Sequence, residues 1–519
     1  MFCTSSRCCG WLAGGLLTAL AGGVQAAGFE LPQRGIKEMG TAYAGSAALL
    51  EDASAIANNP AGLMRLQGRH VSGGLTLIKS GFDYDVTVQR ELIDGVGGVV
   101  PGRSQGSIGA LSAVPHAYYS RRLSDNAAMG IGLYVPNGST TEYGNRWAGR
   151  YHASDTAIQT VNFAPTFAWR ETDRLSFGLG VVLQSFSGEF KNSIDVGYLV
   201  ADQVITEVEE TSVIGIDVTL RDGADGVVDD FAHNFDVDNF MTVNSWGYGF
   251  NFGALWEHSE QTRVGLHYAS AVHHLATGEA RRPQTLDPAF QQSLEDAIRA
   301  VRLSVLGIPA GTIGSQRPES AIEGAAKAVG PLGAQGGDIE LDLVMPETVT
   351  LSAVHQWRPA LALMASLTWT NWSRIDELRF VYTDRSERGG APIVDGEEDV
   401  GRRDLVQPFD WQDAWRASVG AHYQFSDRLQ LRTGLAWDQS PVPSAARRTP
   451  RGPDSDRIIL GVGGGWVFGR MSVDLAWTLT RFVASEINSR ENPAGTQHRM
   501  SGDYQGLLHS LGGQVNWRF

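Results

Sequence analysis

The ten residues Leu429–Asp438, LQLRTGLAWD, decide the fold because apolar and polar side chains alternate along them. A period of two places successive side chains on opposite faces of a β-strand. The same alternation returns in residues 415–425, in residues 471–480 and at the end of the chain, in residues 511–519. Each stretch is long enough to cross a bilayer as a tilted strand, which takes about 9–11 residues.

Aromatic side chains stand toward the ends of these apolar faces, as in the two girdles of a membrane barrel: Trp415, Tyr423, Phe425, Trp437 and Trp477. The last strand finishes on Phe519, which resembles the terminal signature that bacterial outer-membrane barrels present to the barrel assembly machinery. A large soluble β-sandwich or barrel would explain the alternation but not the aromatic edges. The pattern therefore favours a barrel in a bacterial outer membrane.

Residues 1–26 read as a secretory signal peptide. Arg7 precedes an apolar run over residues 10–24, and small residues surround Gln25 before a predicted cleavage point. A transmembrane helix would need about 20 apolar residues, which this run does not reach. We therefore expect export from the cytoplasm.

Composition excludes several classes of protein. The chain of 519 residues has 42 Lys+Arg against 57 Asp+Glu, a formal net charge of −15, which disfavours a basic nucleic-acid binder. Its three cysteines, Cys3, Cys8 and Cys9, all fall in the predicted signal peptide, so neither a zinc cluster nor a disulfide framework is expected. No nucleotide-binding motif is visible, so we expect no cofactor and no energy source.

Counting alternating segments predicts an all-β fold, a transmembrane antiparallel β-barrel of about fourteen strands over residues 68–519. Short connections fit periplasmic turns. Two insertions, at residues 191–245 and 277–340, are too long for turns and are predicted to be extracellular loops, the second with short helices.

The two insertions carry weaker site predictions. In the first, Asp222, Asp225 and Asp229 could hold a hard cation such as Ca²⁺, although the spacing is not that of an EF-hand and a solvated acidic loop is the alternative. In the second, one face of an amphipathic helix either packs on the barrel rim or offers ligands an apolar landing surface; its residues include Phe290, Leu294 and Ile298.

Residues 27–67 do not alternate and are rich in small side chains, which suits a plug in the lumen. A disordered periplasmic tail is the alternative, but the apolar content argues against it.

Several motifs in this order resemble the FadL family of outer-membrane transporters. The start Ala27-Gly28-Phe29, the Gly40 and Gly45 positions and the triplet Asn59-Pro60-Ala61 resemble the family's N-terminal hatch with its NPA motif. Two further stretches resemble family sequence, residues 438–443 and residues 453–457. The resemblance implies passive uptake of long-chain fatty acids, or of aromatic hydrocarbons or alkanes in a related branch. It assigns gating to the hatch residues Phe29, Gly40, Gly45, Asn59, Pro60 and Ala61.

Pro136-Asn137-Gly138 predicts an interruption in the third strand, because proline lacks the N–H that a ladder needs and glycine tolerates a bulge. The resemblance implies that the ligand leaves there, sideways into outer-membrane lipid. An ordinary strand end is the alternative. Lys191 lies near a strand end where an acidic ligand could bind, although a solvated rim lysine explains it equally well.

Single features of the sequence fit two rival classes of protein, an outer-membrane enzyme and a general diffusion porin. Gly102-Arg103-Ser104-Gln105-Gly106 fits the G-x-S-x-G pattern of a lipolytic enzyme, but that motif has meaning only between a strand and a helix. His273 and His274 would point to opposite faces of one strand and so cannot bind one metal together. A general diffusion porin is disfavoured by the hatch segment. We therefore predict a transporter and not an enzyme.

Overall fold

The structure is a computed structural model, and it describes residues 28–92, 95–195, 233, 235–283, 289, 292–293, 336–383, 405–490 and 498–519. The predicted signal peptide lies outside these residues.

The described residues form one sheet in which each neighbouring pair of strands is antiparallel. Its strands are β1 (Arg69–Leu92), β2 (Gly95–Val99), β3 (Gln105–Ile108), β4 (Leu111–Ser124), β5 (Ala127–Tyr134), β6 (Gly138–Glu142), β7 (Asp155–Thr172), β8 (Leu175–Asp195), β9 (Asp236–Glu257), β10 (Thr262–Ala269), β11 (Val272–Arg281), β12 (Gly336–Met345), β13 (Thr348–Arg358), β14 (Leu361–Thr370), β15 (Glu377–Tyr382), β16 (Leu405–Pro408), β17 (Ala414–Gln424), β18 (Leu429–Asp438), β19 (Arg457–Phe468), β20 (Met471–Phe482), β21 (Ser485–Ser489) and β22 (His498–Arg518).

Several of these strands are consecutive pieces of one longer strand, interrupted by a bend. The pieces that belong together are β2, β3 and β4, then β5 and β6, β10 and β11, β12 and β13, β14 and β15, β16 and β17, and β20 and β21. Joining them leaves fourteen barrel strands. β22 pairs with β1 from His70↔Arg518 to Arg90↔His498, which closes the barrel. The predicted fourteen-stranded antiparallel barrel is confirmed.

The outer face of the barrel is apolar, whereas its inner face carries many polar and charged side chains. In β18, Leu435 and Trp437 are exposed, whereas Arg432 and Asp438 are buried in the interior. Exposed apolar side chains form a band around the outside, with members on most strands: Leu75, Leu77, Phe163, Phe167, Leu179, Val181, Leu183, Leu266, Leu351, Leu363, Leu367, Val419, Leu431, Leu460, Leu475, Leu511 and Val515. A soluble barrel shows the opposite arrangement, so this protein crosses a bilayer with its strands.

Residues 28–66 precede the first strand and contain little regular structure. Two short α-helices, α1 (Ile36–Gly40) and α2 (Ala55–Asn58), are followed by a 3₁₀ helix, Pro60–Arg65. A second 3₁₀ helix, Trp372–Arg374, lies between β14 and β15. In the part of the chain that the structure describes, none of the helices is both long and apolar enough to span a membrane.

The segment of residues 28–66 is almost entirely buried and touches strands on all sides of the lumen. Glycines on the strands allow these contacts. A Cβ on Gly434 would lie 1.9 Å from the Thr41 carbonyl oxygen, and a Cβ on Gly265 would lie 1.8 Å from that of Ala47. Because these neighbours are backbone atoms, which cannot swing away, the wall needs glycine wherever the segment rests on it.

Two apolar clusters lie in the lumen beside the start of this segment. One contains Phe29, Phe186, Phe190, Trp372 and Trp411, with apolar residues of β9, β11, β12 and β15. The other contains Leu31 together with side chains of β1, β21 and β22 and with Tyr143, Trp147 and Tyr151. Residues 28–31 therefore lie between two apolar surfaces.

Some strands run farther than the sequence suggested at the two insertions. β8 continues to Asp195 and β9 begins at Asp236, while β11 ends at Arg281 and β12 begins at Gly336. Most of what separates these strands, including the predicted helical face, lies outside the described residues.

Candidate functional site

The third barrel strand is interrupted where Pro136 stands. β5 ends at Tyr134 and pairs with both neighbours, β4 and β7, whereas β6 begins at Gly138 and its described pairing is with β7. Proline cannot donate to a ladder, so pairing with β4 stops there. The wall is thus interrupted at the predicted position, and the role of Pro136, Asn137 and Gly138 as a lateral opening remains a prediction.

Residues 28–31, which we call the N-terminal arm, fill this break. The Leu31 N–H donates to the Pro136 carbonyl (2.7 Å), and the Gly138 N–H donates to the Phe29 carbonyl (2.8 Å). Glu30 and Asn137 face each other as an isolated antiparallel bridge. The arm therefore satisfies backbone groups of the break that would otherwise be left without a strand partner.

Phe29 anchors the arm among aromatic rings. Its ring centroid lies 5.1 Å from that of Trp372, edge to face, and 5.7 Å from that of Trp411. Gly28 precedes it with a φ of +61°, and a Cβ there would lie 2.7 Å from the Trp372 ring. Position 28 thus requires glycine, and Phe29 contributes the apolar contact that holds the arm in place.

Glu30 attaches the arm to a row of buried charges on the wall. Its carboxylate lies 3.4 Å from the Arg416 guanidinium and 3.4 Å from that of Arg34. The row continues along the wall from Arg416 through Asp438 and Arg457 to Asp454. The far end of the row also holds the arm, because the Gly28 N–H donates to Asp454 Oδ2 (3.1 Å). The stretches at 438–443 and 453–457 thus include residues that hold the arm.

The triplet Asn59-Pro60-Ala61 fixes the other end of the segment. The fully buried Asn59 amide donates to the Ala47 carbonyl (2.7 Å) and to the Ala254 carbonyl of β9 (3.0 Å), and its oxygen accepts from the Ala61 N–H (3.0 Å). Pro60 begins the 3₁₀ helix, where its missing N–H costs nothing. The triplet therefore joins the segment to itself and to the wall.

Gly40 and Gly45 are contact points between the segment and the wall. A Cβ on Gly40 would meet Gly463 of β19 at 3.3 Å, and Gly45 has a φ of +74° beside Met364 of β14. The six predicted hatch residues therefore do not form one cluster. Phe29 lies at the break, and the other five lie where the segment turns or rests on the wall.

A cavity lies between the arm, the segment and the wall, beside the break. It is small, with a volume of about 50 Å³. Its lining mixes polar side chains with apolar ones: Glu30, Arg34, Asn162, Gln184, Asn251 and His267, and Tyr134, Pro136, Val182, Phe250, Val272, Met345 and Trp372. A second, smaller space borders Glu30, Arg34 and Arg416. Polar and apolar side chains therefore lie next to each other beside the break.

The wall has a second interruption, between β10 and β11 of the seventh barrel strand. Both pieces pair with β9, but the register shifts by one residue and residues 245–250 of β9 have few partners on that side. Here the neighbouring side chains close the wall. A Cβ on Gly247 would meet Val272 Cγ1 at 2.5 Å, and one on Gly249 would meet Val272 Cγ2 at 2.9 Å.

The other predicted site residues have different surroundings. Lys191 lies 3.5 Å from Asp155 as an ion pair and 4.9 Å above the Phe240 ring. The predicted landing surface (Phe290, Leu294, Ile298) and the predicted cation ligands (Asp222, Asp225, Asp229) lie outside the described residues.

The residues that suggested rival functions lack the geometry that those functions need. Ser104 is exposed in a connection that leads into β3, not into the helix that a nucleophile elbow requires. His273 points outward to Asp342 (2.6 Å), whereas the buried His274 lies 2.9 Å from both Ser245 and Gln184. The two histidines therefore face opposite sides of β11.

Comparison with known proteins gives a consistent picture. A profile of the family described as "Outer membrane protein transport protein (OMPP1/FadL/TodX)" matches residues 17–519. The putative outer membrane protein NMB0088 of Neisseria meningitidis is 28% identical over 459 residues, covering 88% of this chain and 86% of that protein. The long-chain fatty acid transport protein of Escherichia coli K12 is 27% identical over 475 residues, covering 89% of each chain.

Solved structures share the fold. A Pseudomonas aeruginosa FadL homologue superposes with a TM-score of 0.73 at 22% identity, over 95% of this chain and all of that one. The Pseudomonas putida toluene transporter TodX gives a TM-score of 0.56 at 17% identity, over 95% of this chain and 99% of that one.

Proposed function

The chain belongs to the OMPP1/FadL/TodX family of outer-membrane transport proteins, and we propose that it is a passive, gated uptake channel whose preferred ligands are long-chain fatty acids. The family membership places it in the bacterial outer membrane and gives it hydrophobic compounds to transport. The choice of ligand, the gate and the exit route are our proposal.

The observation that carries the proposal is the closure of the wall break by the N-terminal arm. Two backbone hydrogen bonds, one aromatic anchor and one charged anchor hold residues 28–31 against Pro136 and Gly138. Movement of these four residues would connect the cavity with the outer face of the barrel. No strand would need to leave the sheet.

Exit through the wall fits the energetics of an apolar ligand. Each buried CH₂ contributes about 0.8 kcal/mol, so release of an acyl chain into the aqueous periplasm would reverse most of the binding energy. Release into the lipid that surrounds the exposed apolar band avoids this cost.

Arg34 and Arg416 favour an acidic ligand over a hydrocarbon. Both guanidiniums pair with Glu30, and both border the small space beside the cavity. A ligand carboxylate that reached them would compete with Glu30 for the same donors and would weaken the hold on the arm. Binding would then favour opening of the gate.

The C-terminal strand supports a proposal about assembly. β22 ends at Arg518, and Phe519 is exposed beside the start of β1, where its N–H donates to the Arg69 carbonyl (2.9 Å). We propose that this strand is the contact with the barrel assembly machinery.

Uptake by intact cells tests the proposed function. Escherichia coli cells that lack their own long-chain fatty acid transporter would express the protein or carry an empty vector, and both would receive labelled oleate or labelled toluene. We expect faster oleate uptake with the protein, competition by other long-chain acids, and weak competition by toluene.

Two outcomes would contradict the proposal. Toluene uptake without oleate uptake would assign the protein to aromatic hydrocarbons. A large, steady conductance of the purified protein in planar bilayers would show an open pore instead of a gated channel.

A further inference from the structure

We propose that Asp195, His233 and His498 form a binding site for a divalent transition-metal ion, with Zn²⁺ the ion that fits best, at the extracellular end of the barrel. The proposal does not depend on the transported ligand, because these residues are separate from the arm and from the wall break.

The distances between the three candidate ligand atoms suit one small ion. Asp195 Oδ2 lies 2.9 Å from His233 Nδ1 and 3.7 Å from His498 Nε2, and all three atoms lie within 4.8 Å of one another. Tetrahedral zinc with bonds of about 2.0–2.1 Å places its ligand atoms about 3.3 Å apart. Small shifts of the side chains would therefore suffice to coordinate the ion.

The chemistry of the ligands selects the kind of ion. Two imidazole nitrogens and one carboxylate oxygen suit Zn²⁺ and its neighbours in the first transition row, whereas Ca²⁺ and Mg²⁺ prefer oxygen ligands alone. Three protein ligands leave a fourth position for water.

The surroundings orient the ligands. Asp195 Oδ1 accepts the His233 backbone N–H (3.0 Å), which leaves Oδ2 toward the imidazoles. The Tyr151 ring stacks on His498 with centroids 4.5 Å apart, and its hydroxyl donates to Asp236 (2.7 Å) while lying 2.8 Å from His233 Nδ1. The backbone contact to Asp195 and the stacked ring orient two of the ligands. The Tyr151 hydroxyl shares His233 Nδ1 and must turn away from it when an ion binds.

Charge and access are compatible with moderate affinity. Arg150 is paired with Asp236 at 2.6 Å, so its charge is balanced. The positive charge of Arg90 opposes a further cation at His498. We therefore expect zinc to bind more weakly here than at structural sites made of thiolates. Asp195 and His498 are fully buried, and the His233 side chain is 10% exposed, which leaves an approach for ions from its side.

The position of the site gives the ion a structural effect. Asp195 ends β8, His233 stands just before β9 and His498 begins β22, so the ligands come from the ends of the fifth, sixth and fourteenth barrel strands. β1 and β22 pair with each other, as do β8 and β9, but these two pairs are not neighbours in the sheet. A bound ion would tie two sides of the mouth together.

Metal titration of the purified full-length protein tests the site. The protein should carry an affinity tag without histidine, be treated with EDTA, and be titrated in detergent with ZnCl₂ by calorimetry. We expect one equivalent to bind. CoCl₂ should produce the visible absorption of tetrahedral cobalt, which adventitious surface binding does not give.

Variants identify the ligands. His233→Ala and His498→Gln should each weaken zinc binding at least tenfold and remove the cobalt absorption. His273→Ala is the matched control, because it removes another histidine paired with an aspartate and should leave binding unchanged. Heat-modifiable migration in gels shows that each variant is folded.

The proposal is overturned by two results. One is a folded wild-type protein that binds no zinc. The other is undiminished stoichiometric binding in folded His233→Ala and His498→Gln proteins. Should His498→Gln fail to fold, the partly exposed His233→Ala variant decides alone.

Discussion

The two interruptions of the barrel wall are closed in different ways. At the break in the third strand, residues from outside the sheet, the N-terminal arm, supply the hydrogen-bond partners of Pro136 and Gly138. At the break in the seventh strand, Val272 packs over Gly247 and Gly249, and His274 joins Ser245 to Gln184. The first closure uses a separable segment, and the second uses the wall itself.

This difference supports the proposal that the first break is a gate and the second is a structural bend. Removing the arm breaks a small set of contacts and leaves the sheet intact. Opening the seventh strand would require a buried side chain and a buried histidine network to move together, at a cost in packing and unsatisfied polar groups. We therefore expect function to depend on the first break and stability to depend on the second.

The largest expected effect comes from a disulfide that locks the arm. Glu30 and Asn137 form a non-hydrogen-bonded antiparallel pair, and such pairs have Cα atoms about 4.5 Å apart, within reach of a disulfide. The double variant Glu30→Cys/Asn137→Cys should lose at least nine-tenths of oleate uptake when oxidised and regain it after reduction.

A second cysteine pair is the matched control for this lock. A Cβ at Gly249 would lie 2.6 Å from Ser270 Oγ, so Gly249→Cys/Ser270→Cys ties the second break. Oxidation of this pair should leave uptake unchanged. Equal loss of uptake in both double variants would refute the distinction between the two breaks.

The next largest effect is expected from substitution of two glycines, one at each break of the wall. A Cβ on Gly138 would lie 3.0 Å from the flexible end of Leu31, whereas one on Gly247 would lie 2.7 Å from the His273 carbonyl oxygen. Gly138→Val should slow uptake several-fold with normal assembly. Gly247→Val should cost about 1–3 kcal/mol of stability and lower the temperature of gel-shift unfolding, because backbone must move. If Gly247→Val slowed uptake and Gly138→Val lowered stability, the gate would lie at the second break and not at the first.

A smaller effect is expected from Glu30→Gln. The substitution removes the charge that holds the arm to Arg416, but Arg416 keeps its ion pair with Asp438, so no buried charge is left without a partner. We expect more frequent opening events in planar bilayers. Asp342→Asn is the control, because its exposed pair with His273 contributes little. An unchanged opening frequency for Glu30→Gln would argue that Phe29 and the backbone hydrogen bonds hold the arm without the charge of Glu30.

The smallest expected effect is a pH dependence of how firmly the segment of residues 28–66 docks in the lumen. Burial, together with the Asp52 carboxylate, raises the pKa of Glu38 to about 8. Its ordinary pKa is 4.5, so the docked segment binds a proton that the undocked segment releases. Docking should weaken as pH rises from about 4.5 to about 8 and change little above that. Proteolytic cleavage of the segment of residues 28–66 in the purified protein should rise over this range in wild type and stay flat in Glu38→Gln.

The sequence predicted the barrel because strand alternation is local. Along β18, successive side chains point alternately outward and inward. A stretch of ten residues is therefore long enough to show the alternating pattern of a membrane strand. The break at Pro136 was predictable for the same reason, since proline affects pairing wherever it stands.

Contacts between distant residues were not predictable. Arg416 and Asp438 look like ordinary polar members of an inner face, and only the fold brings Glu30 to them. The break after Ala269 has no proline to mark it. Gly434 is one small residue of an alternating strand in the sequence, and only the fold shows that Thr41 rests against the wall there. Charged residues at lumen positions of alternating strands are the signal that would have found the arm's anchor.

The seam between β1 and β22 also constrains how the molecule is made. It pairs His70 with Arg518, so the ring cannot be completed before the final strand has reached the membrane. Contacts between residues so far apart in sequence form slowly, because the intervening chain must lose much of its freedom first. Closure of the barrel is therefore a long-range event, in which the strand that ends at Arg518 must return to the one that begins at Arg69.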